Sequence, residues 1–176
     1  MKDTRLHTFV FADIVGFTTF TTDRGDDAAA DLATEFCQEV SRLAGEHGAE
    51  TIKAIGDAVM VRASDASEAV RLALRVLGEL SGRGAFPPIR IGMHTGPAVE
   101  RAGDWFGATV NLAARVAAVA TGGEALVTED TWTAVGALSD VDLQQRGPRA
   151  FKNVAGEPRV YAVAERASRS EMLAAA

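Results

Sequence analysis

Apolar positions along the chain follow two periods, and these divide it into alternating strands and helices. Residues 7–13 contain the run Phe9-Val10-Phe11-Ala12, which ends abruptly on Asp13, the composition of a buried strand closed by a carboxylate. Beyond Gly16 the period becomes helical, with an interruption around 23–27. Leu32, Phe36, Val40 and Leu43 then fall at i, i+4, i+8 and i+11 on one helix face, and Gly48 is placed to end that helix. Two β-rich runs flank Gly56-Asp57 within 50–61, which predicts a tight hairpin with Gly56 at positive φ.

Asp65 and Glu68 have the spacing of a capping box, and Val70, Ala73, Leu74, Leu77 and Leu80 form the apolar stripe of the helix that follows. Breakers over 82–88 precede a strand at 89–96 that ends in a Gly turn. A helix over 108–120 carries Asn111 and Arg115 four apart on one face. A short strand at 125–127, a short helix at 129–135 and a terminal strand pair reaching 163 complete the pattern, and the tail at 165–176 is weakly patterned. Helices alternate with strands, but two strand pairs read as hairpins. The expected class is therefore α+β, a ferredoxin-like sheet with helices packed on one face, in a single domain over 1–164.

Composition narrows the function classes. The 176 residues suffice for one self-sufficient core, and 47% of them are hydrophobic. Lys and Arg total 18 against 24 Asp and Glu, a net charge of −6, which argues against a nucleic-acid surface but leaves room for a nucleotide held by a few local cations. Cys37 is the only cysteine, so no intrachain disulfide can form. It sits in an amphipathic helical pattern as a small packing residue, and a reducing, cytoplasmic setting is expected. No apolar run has the length of a membrane span, so no membrane insertion by this chain is expected.

Three places carry candidate chemistry, each with a plainer alternative. Asp13 ends a strand ahead of Gly16, where it could face a cleft and hold a metal, or simply cap the next helix. Asp57 sits at a hairpin tip. Placed on an adjacent strand it could share cations with Asp13; otherwise it is ordinary turn chemistry. The segment from Gly103 through Asp104, Trp105, Phe106 and Gly107 leads into the helix of Asn111 and Arg115. There a guanidinium suits phosphate oxygens and an amide suits a sugar hydroxyl, but the two could also be a solvated pair.

Taken together, the motifs F-A-D-I-V-G-F-T, I-K-A-I-G-D-A-V-M, I-R-I-G-M-H-T-G and D-W-F-G-A-T-V-N-L-A-A-R resemble the catalytic domain of the class III nucleotide cyclases, in family order and spacing over 8–163. The D-W-F-G form is similar to a bacterial, particularly actinobacterial, subgroup. The resemblance implies an adenylate cyclase, forming 3′,5′-cyclic AMP and pyrophosphate from ATP with two divalent cations, Mg²⁺ or Mn²⁺. It implies Asp13, Asp57 and the Ile14 carbonyl as metal ligands, and Lys53 with Asp104 as readers of adenine. Asn111 and Arg115 match the residues that act on the ribose and on transition-state charge, and Arg90 and Lys152 match phosphate-binding cations. Lys152 lies in a stretch that varies across the family. The resemblance further implies a homodimer with two composite sites. A non-catalytic nucleotide-binding domain of the same fold, a guanylyl cyclase, and an unrelated two-metal phosphotransferase are the competing possibilities.

Overall fold

A computed structural model describes residues 5–81, 84 and 86–166, so the expected tail lies outside it beyond residue 166. Among the described residues the strands are, in chain order, β1 (His7–Ile14), β2 (Glu50–Ile55), β3 (Ala58–Ala63), β4 (Ile89–Gly96), β5 (Val99–Arg101), β6 (Asp104–Phe106), β7 (Ala125–Thr128), β8 (Val141–Pro148) and β9 (Arg159–Glu165). The helices are α1 (Phe17–Arg24), α2 (Asp26–Glu46), α3 (Ala66–Val76), α4 (Ala108–Val119) and α5 (Glu129–Val135), with a π-helical turn at Leu77–Ser81 extending α3. Seven strands form one sheet in the order β2-β3-β1-β4-β7-β9-β8, and β5 pairs with β6 in a separate hairpin. Within the seven-stranded sheet only β4 and β7 run parallel, with α4 as their crossover.

Strand β1 lies third in the sheet and is buried on both faces. Val10, Ala12 and Ile14 point into a core completed by Phe36, Val40 and Leu43 of α2 and by Val70, Ala73 and Leu74 of α3. Phe9 and Phe11 point the other way, towards Trp105 of β6 and Val110, Ala113 and Ala117 of α4. The unbroken apolar run at 9–12 reflects this double coverage, since a half-exposed strand alternates with polar residues. The α+β class holds, and α2, α3 and α5 cover one face as expected. Helix α4 differs. It packs on the opposite face, over a second core and a third one that includes Leu112, Val116, Leu126, Phe151 and Val160.

Contact between α4 and the sheet is unusually close at one point. A Cβ built on Gly92 of β4 would lie 1.9 Å from the Ala117 backbone nitrogen and 2.4 Å from its Cα. Only glycine leaves room for the helix backbone there. Gly92→Ala is expected to push α4 off the sheet and cost at least about 3 kcal/mol, the upper end of ordinary overpacking, read as a fall in the denaturant midpoint.

Local signals in the sequence are realised with one change. The Asp65 carboxylate caps α3, accepting from the amides of Ser67 at 2.7 Å and Glu68 at 3.3 Å. Glu68 does not turn back to complete a capping box; its carboxylate meets His47 Nδ1 at 2.8 Å instead.

At the His7 end of the sheet, a buried chain of hydroxyls ties β1, β4, β7 and α5 together. Thr8 Oγ1 and Thr95 Oγ1 are 2.8 Å apart, Thr95 donates to Thr131 at 3.2 Å, Thr131 meets Thr128 at 3.3 Å, and Thr128 meets His94 Nδ1 at 2.7 Å. Burial holds the His94 imidazole below the ordinary histidine value of 6.5, and Asp130 offsets part of that effect. With its folded pKa depressed, His94 favours the folded state fully above about pH 6.5, and that contribution is lost as protonation sets in below. The thermal midpoint should therefore fall between pH 7 and pH 5, and His94→Gln should flatten that part of the profile.

Candidate active site

Two carboxylates meet where β1 leaves the sheet. Asp13, next to last in β1, stands opposite Ala58 of β3 and Arg90 of β4. Gly56, at φ 63°, turns the β2–β3 hairpin and places Asp57 just before β3, beside the end of β1. Burial and the Asp13 charge, in that order, push the Asp57 carboxyl above the ordinary aspartate value, with Arg90 pulling the other way. A divalent cation would relieve this repulsion, and a carboxylate pair is the hard oxygen donor set that Mg²⁺ or Mn²⁺ takes. The residues therefore fit such an ion. Ile14 is buried by its side chain, so only its carbonyl could add to the set. No group of three or more His, Cys, Asp or Glu side chains suited to a metal occurs among the described residues, so water and substrate oxygens would complete the coordination.

Immediately after Asp13, Gly16 adopts the left-handed conformation, φ 79° and ψ 17°, and starts α1 with no side-chain cap. The first-turn amides thus remain available at the positive end of the helix, next to the carboxylates, with Thr18 and Thr19 exposed. This is a natural anion site. Its signal in the sequence was a glycine ahead of two threonines, too common to assign by itself.

Lys53 and Asp104 are 51 residues apart in the chain, and their side chains meet at 2.5 Å. Lys53 lies just beyond an irregularity in the β2–β3 ladder and is opposite Met60. Asp104 opens β6 after a two-residue turn in which Ala102 (φ 52°) and Gly103 (φ 77°) are both left-handed. Its Oδ1 accepts the Trp105 amide at 2.8 Å while Oδ2 faces Lys53. Trp105 anchors the hairpin, with its ring 5.7 Å from that of Phe9 and 5.0 Å from the Arg62 guanidinium. The Lys53 hydrogen bond, helped by the Trp105 amide, holds the Asp104 carboxyl below the ordinary aspartate value. The exposed Phe106 ring lies 5.9 Å from the Lys53 ammonium.

Asn111 and Arg115 occupy one face of α4, Asn111 exposed and Arg115 half-buried. Thr109 fixes the start of this helix by donating to the Pro97 carbonyl at 2.6 Å. Lys152 is exposed in the 149–158 connection between β8 and β9, next to Phe151, which is buried against Leu112 and Val116 of α4. Among the described residues, no hydrogen bond or ion pair joins Lys53, Asp104, Asn111, Arg115 or Lys152 to Asp13 or Asp57. Arg90 is the cation found at the carboxylates, where its Nε and Nη2 reach Asp13 Oδ2 at 2.7 and 2.5 Å. A separate cavity of about 650 Å³ between α2 and β2 is lined by Cys37 and Gly56, among others, and holds none of the candidate side chains.

Comparison with known proteins gives a consistent result. The sequence model of the adenylate and guanylate cyclase catalytic domain matches residues 1–165. Over 169 residues the chain is 35% identical to a pH-sensitive adenylate cyclase of Mycobacterium tuberculosis (strain CDC 1551 / Oshkosh), covering 93% of this chain and 42% of that protein. An adenylate cyclase of Streptomyces griseus is 36% identical over 110 residues, 62% of this chain and 28% of that one. The chain thus spans less than half the length of these relatives. The crystal structure of the adenylyl cyclase CyaB from P. aeruginosa superposes with a TM-score of 0.80 over 97% of this chain and 98% of that one. At 24% identity this likeness shows the fold.

Proposed function

The chain belongs to the adenylate and guanylate cyclase catalytic domain family, and from that premise we propose that it converts ATP to 3′,5′-cyclic AMP and pyrophosphate. The observation that carries the choice of ATP is the Lys53–Asp104 pair, assembled at 2.5 Å within one chain. An ammonium can donate to a ring nitrogen of adenine while the carboxylate accepts from its exocyclic amine. Guanine presents the opposite pattern at that edge, a carbonyl and a ring N–H, and would leave both groups mismatched. Trp105 and its amide keep Asp104 aimed, so the pair is set before the base arrives.

Two cations at Asp13, Asp57 and the Ile14 carbonyl would lower the pKa of the ribose 3′-hydroxyl and neutralise the triphosphate. Asn111 holds the ribose so that this hydroxyl lies in line with the α-phosphorus. Arg115, with no partner of its own among the described residues, has its donors free for the phosphoryl oxygens as charge builds on them. Arg90, Lys152 and the amides at the start of α1 take the remaining phosphate charge. Two separate clusters in one chain support a homodimer in which the carboxylates of one chain face Asn111 and Arg115 of its partner. Ile55, Val99 and Phe106, exposed at 51%, 49% and 51%, supply apolar surface for such an interface.

The substrate is a nucleotide and not a nucleic acid, in keeping with the net charge of −6. A cytoplasmic setting fits the single free Cys37. No helix among the described residues is long and apolar enough to cross a membrane.

The deciding experiment incubates the protein with ATP or GTP and Mg²⁺ or Mn²⁺ and measures cyclic product and pyrophosphate. Cyclic AMP from ATP, with little product from GTP, is expected. Nucleotide binding without product would instead mark a non-catalytic domain. Lys53→Glu combined with Asp104→Cys reverses the polarity at the base edge, and the ATP rate should fall at least about tenfold. An unchanged ATP rate would mean that the pair does not read the base.

A further inference from the structure

The cation at Asp13 is already supplied by the protein. Arg90 directs both Nε and Nη2 to Asp13 Oδ2, at 2.7 and 2.5 Å, and its Nη1 donates to the Ala118 carbonyl in the last turn of α4 at 3.1 Å. The partners are directly opposed in the β1–β4 ladder, so the register of the sheet imposes the contact. Their side chains are only 31% and 17% exposed, which leaves the pair partly shielded from solvent screening. The negative end of α4 further stabilises the guanidinium in this position.

A divalent ion approaching Asp13 therefore meets a fixed positive charge on one of the two carboxylate oxygens. We propose that Arg90 is an internal counter-ion that competes with the first divalent cation for Asp13, and that its displacement turns the guanidinium towards the phosphates of the nucleotide. Metal and nucleotide then reinforce each other: the metal frees the arginine that the nucleotide uses, and the nucleotide holds the arginine away from the carboxylate the metal uses. The coupling is reciprocal, as linkage requires. It rests on the assignment of Asp13 and Asp57 as metal ligands, but asks for more, because a spectator arginine would leave metal affinity untouched.

The test uses the whole chain and Mn²⁺ as probe, with free Mn²⁺ measured by electron paramagnetic resonance in the absence of nucleotide. Arg90→Gln should bind Mn²⁺ about tenfold more tightly than the unaltered protein, the effect of removing roughly one strong ion-pair competitor. Arg90→Lys, which keeps the charge but loses the two-pronged contact, should fall between. The affinity of a fluorescent ATP analogue, with and without Mn²⁺, gives the coupling, and the enhancement by Mn²⁺ should shrink in Arg90→Gln. Equal or weaker Mn²⁺ binding by Arg90→Gln overturns the proposal. If that variant does not fold by circular dichroism, equal or weaker binding by Arg90→Lys overturns it likewise. Asp13→Asn separates the two levels. Loss of Mn²⁺ binding there, with Arg90→Gln unchanged, leaves the metal site standing and removes only the counter-ion, whereas binding that survives Asp13→Asn overturns the metal assignment itself.

Discussion

Asp57→Asn should abolish cyclic-product formation while making the protein more stable. The two effects have one cause. Burial and the neighbouring Asp13 charge raise the Asp57 carboxyl above the ordinary aspartate value, so the folded state disfavours its ionised form. That cost is fully present above the raised folded pKa and vanishes as pH falls below the unfolded value of 3.8. In chelator at pH 7 the asparagine variant should melt at a higher temperature than the unaltered protein, and the difference should close towards pH 3. Activity should drop by more than about a hundredfold, beyond the 10- to 100-fold typical of losing only a supporting hydrogen bond to a metal ligand. Asp13→Asn should be equally inactive but lower-melting, because Arg90 loses its charged partner at 2.5 Å. A cyclase assay and melting curves decide both. Substantial turnover by either variant would remove the two-carboxylate site.

Mixing two dead variants should restore activity. Asp13→Ala lacks a metal ligand, and Arg115→Ala lacks the donor for charge on the phosphoryl oxygens, a loss of about 10²–10³ in kcat. In either homodimer every composite site carries one lesion. In a mixed dimer one site collects both lesions and the other none. Random exchange makes about half the dimers mixed, each with one working site of two, so roughly a quarter of full activity should return. A tagged subunit verifies exchange. No recovery under verified exchange would place both groups in a site built within one chain.

Signals that depend on near neighbours in sequence were legible, and their boundaries were close. The strand at Ile89–Gly96 and the short helix at Glu129–Val135 match the pattern of residue types, and Gly56 turns the hairpin at positive φ as expected. Turn chemistry, capping and apolar period act over a few residues, so the sequence carries them directly. The β5–β6 hairpin is not among the elements that the pattern of residue types predicts. Its first strand is exposed throughout and shows no alternation, and Trp105 holds it down through contacts with Phe9 and Arg62.

By itself the sequence determined the chemical types available: two carboxylates at turn positions, a lysine and an aspartate for a base, an amide and a guanidinium four apart on a helix. Those follow from residue identity and local geometry alone. The tertiary structure decided which of them meet. It placed α4 on the face opposite α2, α3 and α5, through a backbone approach that only Gly92 permits. It joined Lys53 to Asp104 across 51 residues, and Arg90 to Asp13 across 77. Each of these depends on strand order and register, which the cores on both faces of the sheet select together and no single stretch encodes.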